Sequence, residues 1–188
     1  QMVAKGHDFP DVHVAAVIGA DHVLRMPDFR AAERTFSLLT QLAGRAGRGD
    51  VAGRVFVQTH HPQHYALQTL GNFRAFYDAE LQGRNLLAYP PLSRLVLLRI
   101  EGAKKPETLR AAFELANRLR TGVDGKRIQV LGPAPAALPR LVGRWRFQVL
   151  VRGADKKALR TWLDTTKIGL ENARGVRLAI DVDPRHLM

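Results

Sequence analysis

Apolar and polar positions follow two different rhythms along the chain, and the first covers residues 12–59. Residues 12–19 form a short, almost wholly apolar run, which is typical of a strand buried on both faces. Asp28, a residue suited to cap a helix, then precedes an apolar stripe at helical spacing: Ala32, Phe36, Leu39 and Ala43. Residues 53–59 predict the next strand. Strand, helix and strand in this order predict a parallel α/β sheet.

A longer pattern joins this part to the rest of the chain. Residues 62–87 predict one long connecting helix, with an apolar stripe at Leu70, Phe73, Tyr77 and Leu81. Tyr89 precedes two prolines, and the residue before a proline is pushed out of the helical region. We therefore predict a first domain at residues 1–62, a linker at 63–91 and a second domain at 92–188.

The second rhythm alternates short strands with two helices. The predicted strands are residues 94–101, 144–152 and 176–182, together with one that starts at residues 128–131. The predicted helices are residues 107–120 and 155–172, with inward stripes at Leu109, Ala112, Phe113, Ala116 and Leu119 in the first and at Leu159, Trp162, Leu163 and Thr166 in the second. This βαββαβ order is that of a ferredoxin-like domain. The predicted fold class is therefore α/β, with a parallel sheet followed by a ferredoxin-like domain.

Positive charge is concentrated in the second part. The whole chain carries 29 Lys and Arg against 17 Asp and Glu, a net charge of +12, and residues 91–188 hold 20 of the basic and 9 of the acidic residues. Residues 125–154 contain no acidic residue at all. Such segregation predicts a polyanionic partner for the second domain.

Composition excludes several other classes of function. At 188 residues and 46% hydrophobic content, the chain is long enough for one or two cores. It has no run of 18 apolar residues, which predicts no membrane span, and no cysteine, which excludes disulfides and thiolate metal sites. His60, His61 and His64 lie where a strand turns toward a helix, without a suitably spaced carboxylate. We interpret them as turn and cap residues and predict no metal site.

The pattern Gln-x-x-Gly-Arg-x-Gly-Arg ends the first predicted helix, at Gln41, Gly44, Arg45 and Arg48. Two arginines three residues apart, each after a glycine, can present two planar guanidinium groups on one side of a turn, and guanidinium suits phosphate oxygens. Cations at the end of a helix also stabilise it against its dipole. From the pattern alone, a phosphate site and a basic helix terminus both remain open.

The predicted strand 144–152 alternates basic with apolar residues. Arg144, Arg146 and Arg152 share one phase, whereas the other phase holds Trp145, Phe147, Val149 and Val151. With Arg140 on the preceding loop, the arginines predict a compact cationic sheet face that binds DNA phosphates without reading sequence. A solvated basic face without a ligand is the alternative.

Lys5, Gly6 and Asp8 lie just before the first predicted strand, where we expect nucleotide and nucleic-acid loops of α/β proteins to gather. Their order relative to the arginine pattern is similar to that of motifs five and six of superfamily 2 helicases. More specifically, strings spread over the whole chain resemble the PriA family of primosomal helicases. They are residues 1–12 and 28–36, Tyr-Pro-Pro at 89–91, Leu-Gly-Pro-Ala-Pro at 131–135, Gly-Arg-Trp-Arg at 143–146 and Ile-Asp-Val-Asp-Pro at 180–184.

The resemblance implies an ATP-dependent 3′→5′ DNA helicase that restarts stalled replication forks and assembles the primosome. Residues 1–62 would be the end of its second RecA-like motor domain. The residues that the resemblance implies at the ATP site are Asp8, Gln41, Gly44, Arg45 and Arg48. The two arginines would be catalytic and contact the ATP phosphates, and Asp8 would lie by the ribose or couple the ATP and DNA sites. Lys5 and Gly6 would lie along the DNA backbone or the ATP cleft.

The resemblance also implies cofactors. ATP, Mg²⁺ and zinc would belong to the full-length parent, but the phosphate-cradling loop, the Asp-Glu-x-His magnesium motif and the cysteine-rich zinc module are absent from this sequence. Because the chain begins with Gln1 inside a motif, we expect a fragment that has no ATPase activity by itself.

The expected partners are branched DNA, other primosome proteins and the acidic tail of single-stranded DNA-binding protein, all in the cytoplasm. Lys156 and Arg160, an i, i+4 cationic pair at the start of the last predicted helix, would grip that tail. Ordinary solvation of the two side chains is the alternative for this pair. For the whole protein, the alternative is a catalytically inactive fork-binding scaffold of the primosome.

Overall fold

The computed structural model describes residues 12–46, 53–121, 123, 125, 127–166, 168–169 and 174–187. The chain divides into two compact units, Gln1–Gly83 and Arg84–Met188. Both units combine α-helices with a β-sheet, so the predicted α/β class is confirmed. None of the described helices is long and apolar enough to cross a membrane.

The first unit contains a pair of strands joined through helices. Its elements are β1 Val14–Val17, α1 Asp21–Leu24, α2 Ala31–Ala43, β2 Arg54–Val57, α3 Tyr65–Gln68 and α4 Phe73–Leu86, of which α4 continues into the second unit. β1 and β2 pair in parallel, with Val14 opposite Arg54 and Ala16 opposite Phe56. The predicted parallel strand, helix and strand are thereby confirmed.

One face of this strand pair is exposed although most of its residues are apolar. Val14 is 59% exposed, Phe56 is 57% exposed and Ile18, just beyond β1, is 83% exposed. The alternate positions, such as Ala15 and Val55, are half-buried. The expectation of a strand buried on both faces is therefore wrong for the described residues, because none of them covers this outer face.

Helix α2 buries most of the predicted stripe but begins later than expected. Ala43, the last stripe residue, is exposed, and Asp28 is not the N-cap, since the helix begins at Ala31. The Asp28 carboxylate instead accepts the Arg30 backbone N–H at 2.9 Å and pairs with Arg34 at 3.1 Å. Asp28 thus holds the turn before the helix rather than its first position.

The single long helix predicted over residues 62–87 is wrong. The chain forms α3 and α4 with a break at Gly71, whose φ of +83° lies in the left-handed region. Asn72 then caps α4 by accepting a backbone N–H from the first turn on its side-chain oxygen. Because the break shifts the helical phase, α4 buries Phe76 and leaves Phe73 exposed.

The second unit is a four-stranded sheet with two helices. Its elements are β3 Arg94–Gly102, α5 Lys105–Thr121, β4 Ile128–Leu141, β5 Arg144–Gly153, α6 Lys156–Thr165 and β6 Val176–Val182. The strand order is β4-β5-β3-β6, and every neighbouring pair is antiparallel. This is the predicted ferredoxin-like βαββαβ arrangement. β4 starts at Ile128, where a strand was predicted to start, and its prolines are tolerated because it is an edge strand, where a missing N–H donor is allowed.

One face of the second sheet packs against both helices. The core residues include Val96, Leu98, Ile100, Phe147, Val149 and Val151 from the strands and Ala112, Leu115, Leu119, Leu159 and Trp162 from the helices. Phe113, predicted to face inward, is 48% exposed, because the buried stripe of α5 runs through Thr108, Leu115 and Leu119 instead. Gly102 lets α5 approach the end of β3, since a Cβ there would clash with the Thr108 hydroxyl.

Candidate nucleic-acid interface

The arginine pattern lies at the end of α2, and the structure describes part of it. Gln41 is exposed in the last turn. The backbone N–H groups of Gly44 and Arg45 donate to carbonyls of that turn at 3.0 and 3.1 Å, and Arg45 is half-buried. The other residues predicted for the motor lie outside the described residues: Lys5, Gly6, Asp8 and Arg48. The predicted pairing of the two arginines therefore stays a prediction.

The segments that carry the helicase resemblance lead into the same edge of the parallel pair. The Arg54 N–H donates to the His13 carbonyl at 2.8 Å, so the amino ends of β1 and β2 lie side by side. Open α/β sheets usually bind ligands at the carboxyl ends of their strands. That general rule therefore gives no support to a nucleotide site at this edge, and the prediction rests on the family resemblance alone.

A buried carboxylate holds the carboxyl edge of the pair together. Asp21, at the start of α1, accepts the Thr59 hydroxyl at 2.8 Å and the His60 backbone N–H at 2.9 Å. The bond from the His60 N–H is the largest of the effects that lower the pKa of Asp21. Asp21 thus ties the residues after β2 to the helix after β1.

The histidines near this edge serve the local backbone. His64 caps α3, because its ring Nδ1 accepts the Ala66 N–H at 3.1 Å, and burial lowers its pKa. His61 Nε2 lies 2.9 Å from the Arg25 guanidinium. The described part of the chain holds no group of three or more His, Asp or Glu side chains arranged to bind a metal ion.

Arg146 does not belong to an open cationic face. It is 7% exposed, and its Nε donates to Glu101 Oε1 at 2.8 Å across the β3–β5 pair. The register places Glu101 directly opposite Arg146, so the two charges satisfy each other on the sheet face away from the helices. The expectation of a solvent-facing Arg146 is therefore corrected, because its partner comes from a strand 45 residues away.

The other two arginines of β5 lie too far apart to form one compact site. Arg144 Nη2 donates to the Glu101 carbonyl at 3.1 Å, whereas Arg152 bonds Gln129 at 2.9 Å and the Leu87 carbonyl. Eight residues of extended strand separate Arg144 from Arg152, which is about 26 Å. The predicted cationic face is thus divided between the two ends of β5.

A different basic cluster forms where the β4–β5 turn meets the first turn of α5 and the start of β6, and we name it the hairpin end. The Trp145 ring lies close to two cations, with Lys105 Nζ 4.9 Å and Arg140 Cζ 5.5 Å from its centroid. Sheet register brings these elements together, since Gly102 lies opposite both Trp145 and Val176. The cations of the hairpin end are Lys104, Lys105, Arg140, Arg144, Arg174 and Arg177.

Two carboxylates close to the hairpin end are paired with cations. Glu107 lies 2.9 Å from Lys104, a bond that raises the pKa of this lysine, and Glu101 pairs with Arg146. A groove of about 790 Å³ beside α5 opens next to them, lined by residues of both signs that include Lys104, Arg174 and Glu107. Among the described residues, positive charge therefore exceeds negative charge at the hairpin end.

Helix α6 begins at the opposite end of β5 and carries the two residues predicted to bind a partner. Lys156 and Arg160 are exposed, and Arg160 Nε lies 4.0 Å from the Asp164 carboxylate. The groove beside them, of about 500 Å³, is lined by other residues and is named here the α6 groove. Its lining includes Arg127, Lys157, Thr161 and Trp162. Trp162 is 6% exposed, and its Nε1 has no hydrogen-bond partner among the described residues.

Sequence reasoning missed Lys105 at the hairpin end and Lys157 at the α6 groove. No local signal identified Lys105, because it lies 40 positions before Trp145 in the sequence. The register of β4 and β5 places only the predicted Arg140 opposite Trp145. No local signal identified Lys157 either, although it follows the predicted Lys156.

Comparison with known proteins gives the family. A model described as the primosomal protein N C-terminal domain matches residues 85–185. The replication restart protein PriA of Synechocystis sp. is 38% identical over 189 residues, which cover 98% of this chain and 22% of that protein. The PriA proteins of Bacillus subtilis and Haemophilus influenzae are 34% and 36% identical, and each match covers 100% of this chain.

These relatives are much longer than the sequence compared with them. The chain spans about a quarter of the length of the curated relatives it matches, 24% for the Bacillus protein and 26% for the Haemophilus protein. The matched segment nevertheless includes the complete ferredoxin-like sheet with its hairpin end and α6 groove. The chain therefore belongs to the PriA family of replication restart proteins, whose C-terminal domain it carries at residues 85–185.

Proposed function

We propose that the chain is the C-terminal part of an ATP-dependent 3′→5′ DNA helicase for replication restart, and that its second unit binds branched DNA through the hairpin end. The observation that carries this proposal is the position of Trp145 beside Lys105 and Arg140, with Arg144 next to it in β5. Basic side chains grouped around an aromatic ring are typical of surfaces that hold nucleic acid. Relatives named as replication restart proteins support the same substrate.

The hairpin end suits phosphates because contacts with neighbouring groups hold two of its arginine side chains in place. Arg144 donates to the carbonyls of Glu101 and Gly175 at 3.1 and 3.2 Å, and Arg140 stacks on Trp145. A side chain that is already ordered loses less entropy when it binds. Contacts to phosphates carry no sequence information, so the surface would accept a fork of any sequence.

A titration of fluorescently labelled forked DNA against salt concentration tests this site. Each lost phosphate contact lowers the slope of log affinity against log salt by about 0.9, so Lys105→Ala with Arg140→Ala should lower it by about 2. Arg74→Ala is the matched control, because Arg74 is 85% exposed and belongs to the first unit. An unchanged slope in the double variant would reject the hairpin end as the DNA site.

The first unit supports the motor half of the proposal through its incomplete sheet. Parallel sheets are normally covered on both faces, yet Val14, Ile18 and Phe56 present an apolar outer face to solvent. Further strands and helices of a RecA-like domain would cover that face. Arg45 and Arg48 would then supply positive charge where the γ-phosphoryl oxygens gain negative charge. ATP, Mg²⁺ and the zinc module would be held by other parts of the parent protein.

The full-length protein provides the test of the motor. Arg45→Ala and Arg48→Ala should abolish DNA-stimulated ATP hydrolysis and leave fork affinity within twofold of the unaltered protein. This 188-residue chain should release no phosphate from ATP above a blank. The competing function is an inactive fork-binding scaffold, which would bind forks with the same salt slope while the unaltered full-length protein hydrolyses no ATP.

For a protein partner, we propose the acidic tail of single-stranded DNA-binding protein at the start of α6. Lys156 and Arg160 offer exposed charge, and Lys157 and Arg127 line the adjacent α6 groove. Other primosome proteins would bind elsewhere on the parent.

Peptide binding measured by anisotropy separates the two sets of residues. Lys156→Ala with Arg160→Ala should weaken binding of a tail peptide severalfold if the exposed pair grips it. Arg127→Ala with Lys157→Ala should do so if the groove does. Fork affinity should change in neither variant, because both sets lie at the end of β5 opposite to the hairpin end. A peptide that binds all variants equally would exclude this end of α6.

A further inference from the structure

The turn between β4 and β5 has a residue that ordinary turn chemistry does not favour. Val142 and Gly143 form a two-residue hairpin turn with φ values of +47° and +73°, both in the left-handed region. Turns of this kind favour Asn followed by Gly, and a β-branched residue rarely adopts a positive φ. The valine at this position therefore does not serve the turn itself.

The tip is also apolar and exposed. Val142 is 90% exposed, Leu141 is 47% exposed and the nearby Leu138 is 54% exposed. No described heavy atom outside its chain neighbours lies within 4 Å of where a Cβ would stand on Gly143. The tip thus projects into solvent, where an apolar side chain contributes nothing to the stability of the described fold.

Two arginines flank this apolar tip. Arg140 and Arg144 flank the turn on its two strands, and Arg140 shares the Trp145 ring with Lys105. An apolar point between phosphate-binding side chains matches the end of a DNA duplex, where a flat base pair is exposed between two charged backbones. Proteins that bend or open DNA use apolar side chains as wedges against base steps in the same way.

We propose that Leu141 and Val142 form a wedge that packs against the last base pair at the branch point of forked DNA, while Arg140 and Arg144 hold the flanking phosphates. This rests on the proposed binding of DNA at the hairpin end and adds the structure that is recognised, the junction of duplex and single strand. The flanking positive charge argues against an apolar protein groove, and the replication restart proteins among the relatives favour branched DNA over an anionic lipid surface.

The test uses the full-length protein with a fork that carries 2-aminopurine at the branch-point base pair. The unaltered protein should raise its fluorescence as the base unstacks, and should prefer the fork over a blunt duplex of equal charge. Val142→Asn should remove the fluorescence rise and lower that preference about five- to tenfold, the scale of one lost base contact. Because asparagine fits the turn better than valine, this variant should keep or raise the thermal unfolding temperature.

Other results separate the wedge from the proposed DNA site. If Val142→Asn keeps both the fluorescence rise and the fork preference, the wedge is wrong while the hairpin end stands. If Arg140→Ala with Lys105→Ala leaves fork affinity and its salt slope unchanged, the DNA site itself is wrong, and the wedge with it. If Val142→Asn instead loses binding to vesicles of anionic phospholipid with fork binding intact, the tip is a membrane contact. Val142→Ile is the conservative control and should behave as the unaltered protein.

Discussion

The two units differ in how far the described residues cover their sheets. In the first unit, β1 and β2 run parallel, and their outer face presents Val14, Phe56 and Ile18 to solvent. In the second unit, four antiparallel strands bury residues on both faces, with Leu98 against the helices and Leu95 on the opposite side. A βαββαβ segment supplies both helices that cover one face of its own sheet, whereas parallel strands normally need cover on both faces. Candidate sites in the second unit can therefore be built from described residues, while those of the first unit depend on the family resemblance.

The largest expected effect on stability distinguishes the buried core of the second unit from the exposed strand face of the first. Leu98→Ala in the second unit should lower the free energy of unfolding by about 2–5 kcal/mol, because Leu98 is fully buried. Phe56→Ser on the outer face of the first unit should change it by less than about 0.5 kcal/mol. Urea unfolding followed by circular dichroism measures both. A loss of equal size at Phe56 would mean that its face is covered.

A smaller effect is expected from ion pairs of different burial. Glu101→Ala leaves the buried Arg146 guanidinium unpaired and should destabilise the second unit by about 3 kcal/mol. In the first unit, Asp78→Ala removes the partner of the exposed Arg74 and should cost less than about 0.5 kcal/mol. Combining Glu101→Leu with Arg146→Met should restore most of the stability. No recovery in that double variant would show that the pair has a role beyond charge balance.

The next effect concerns helix caps. Asp155 accepts the N–H groups of Lys157 and Ala158 at 2.8 and 3.1 Å, so Asp155→Ala should destabilise the second unit by about 1 kcal/mol. Arg30 holds the same position before α2 in the first unit but makes no side-chain cap bond. Arg30→Ala should therefore stay within about 0.5 kcal/mol of the unaltered protein. Thermal unfolding of both variants measures the two losses of stability. Equal losses would contradict the prediction that only Asp155 acts as a side-chain cap.

The smallest effect appears only as a dependence on pH. The folded state lowers the pKa of Asp21, chiefly through the His60 N–H, so this carboxylate stabilises the first unit above the ordinary carboxyl pKa. That contribution is lost as pH falls through the lowered value, below about pH 4. Asp21→Asn should be less stable than the unaltered protein at pH 7 and lose less on acidification. Parallel acid unfolding curves for the two proteins would contradict this assignment.

Local patterns in the sequence predicted the fold well wherever one element stands alone. The bounds of β6, the parallel β1–β2 pair and the βαββαβ order all follow from apolar periodicity. The errors occur where turn residues or prolines interrupt a longer helical or strand pattern. Gly71 and Asn72 divide the predicted long helix, and the prolines of β4 left the end of this 14-residue strand unpredicted.

The candidate site was predicted less well because it depends on residues distant in sequence. The alternation of side chains along a strand placed Arg146 on the sheet face away from the helices. Only the register with β3 shows that Glu101 neutralises its charge. Likewise, nothing local to Trp145 indicates that Lys105, 40 positions earlier, lies 4.9 Å from its ring. Charge segregation did indicate the unit that carries the basic hairpin end, since it depends on composition rather than on contacts.

The placement of β5 at the middle of the sheet gives the second unit a fixed spacer. It is paired with β4 on one side and with β3 on the other, so the strand cannot lengthen or fold back without losing both ladders. Its ends, at the β4–β5 turn and at the start of α6, are therefore held about 30 Å apart. That distance equals about nine base pairs of duplex DNA. A DNA junction and a peptide bound at the two proposed sites would therefore stand apart by a distance that β5 fixes.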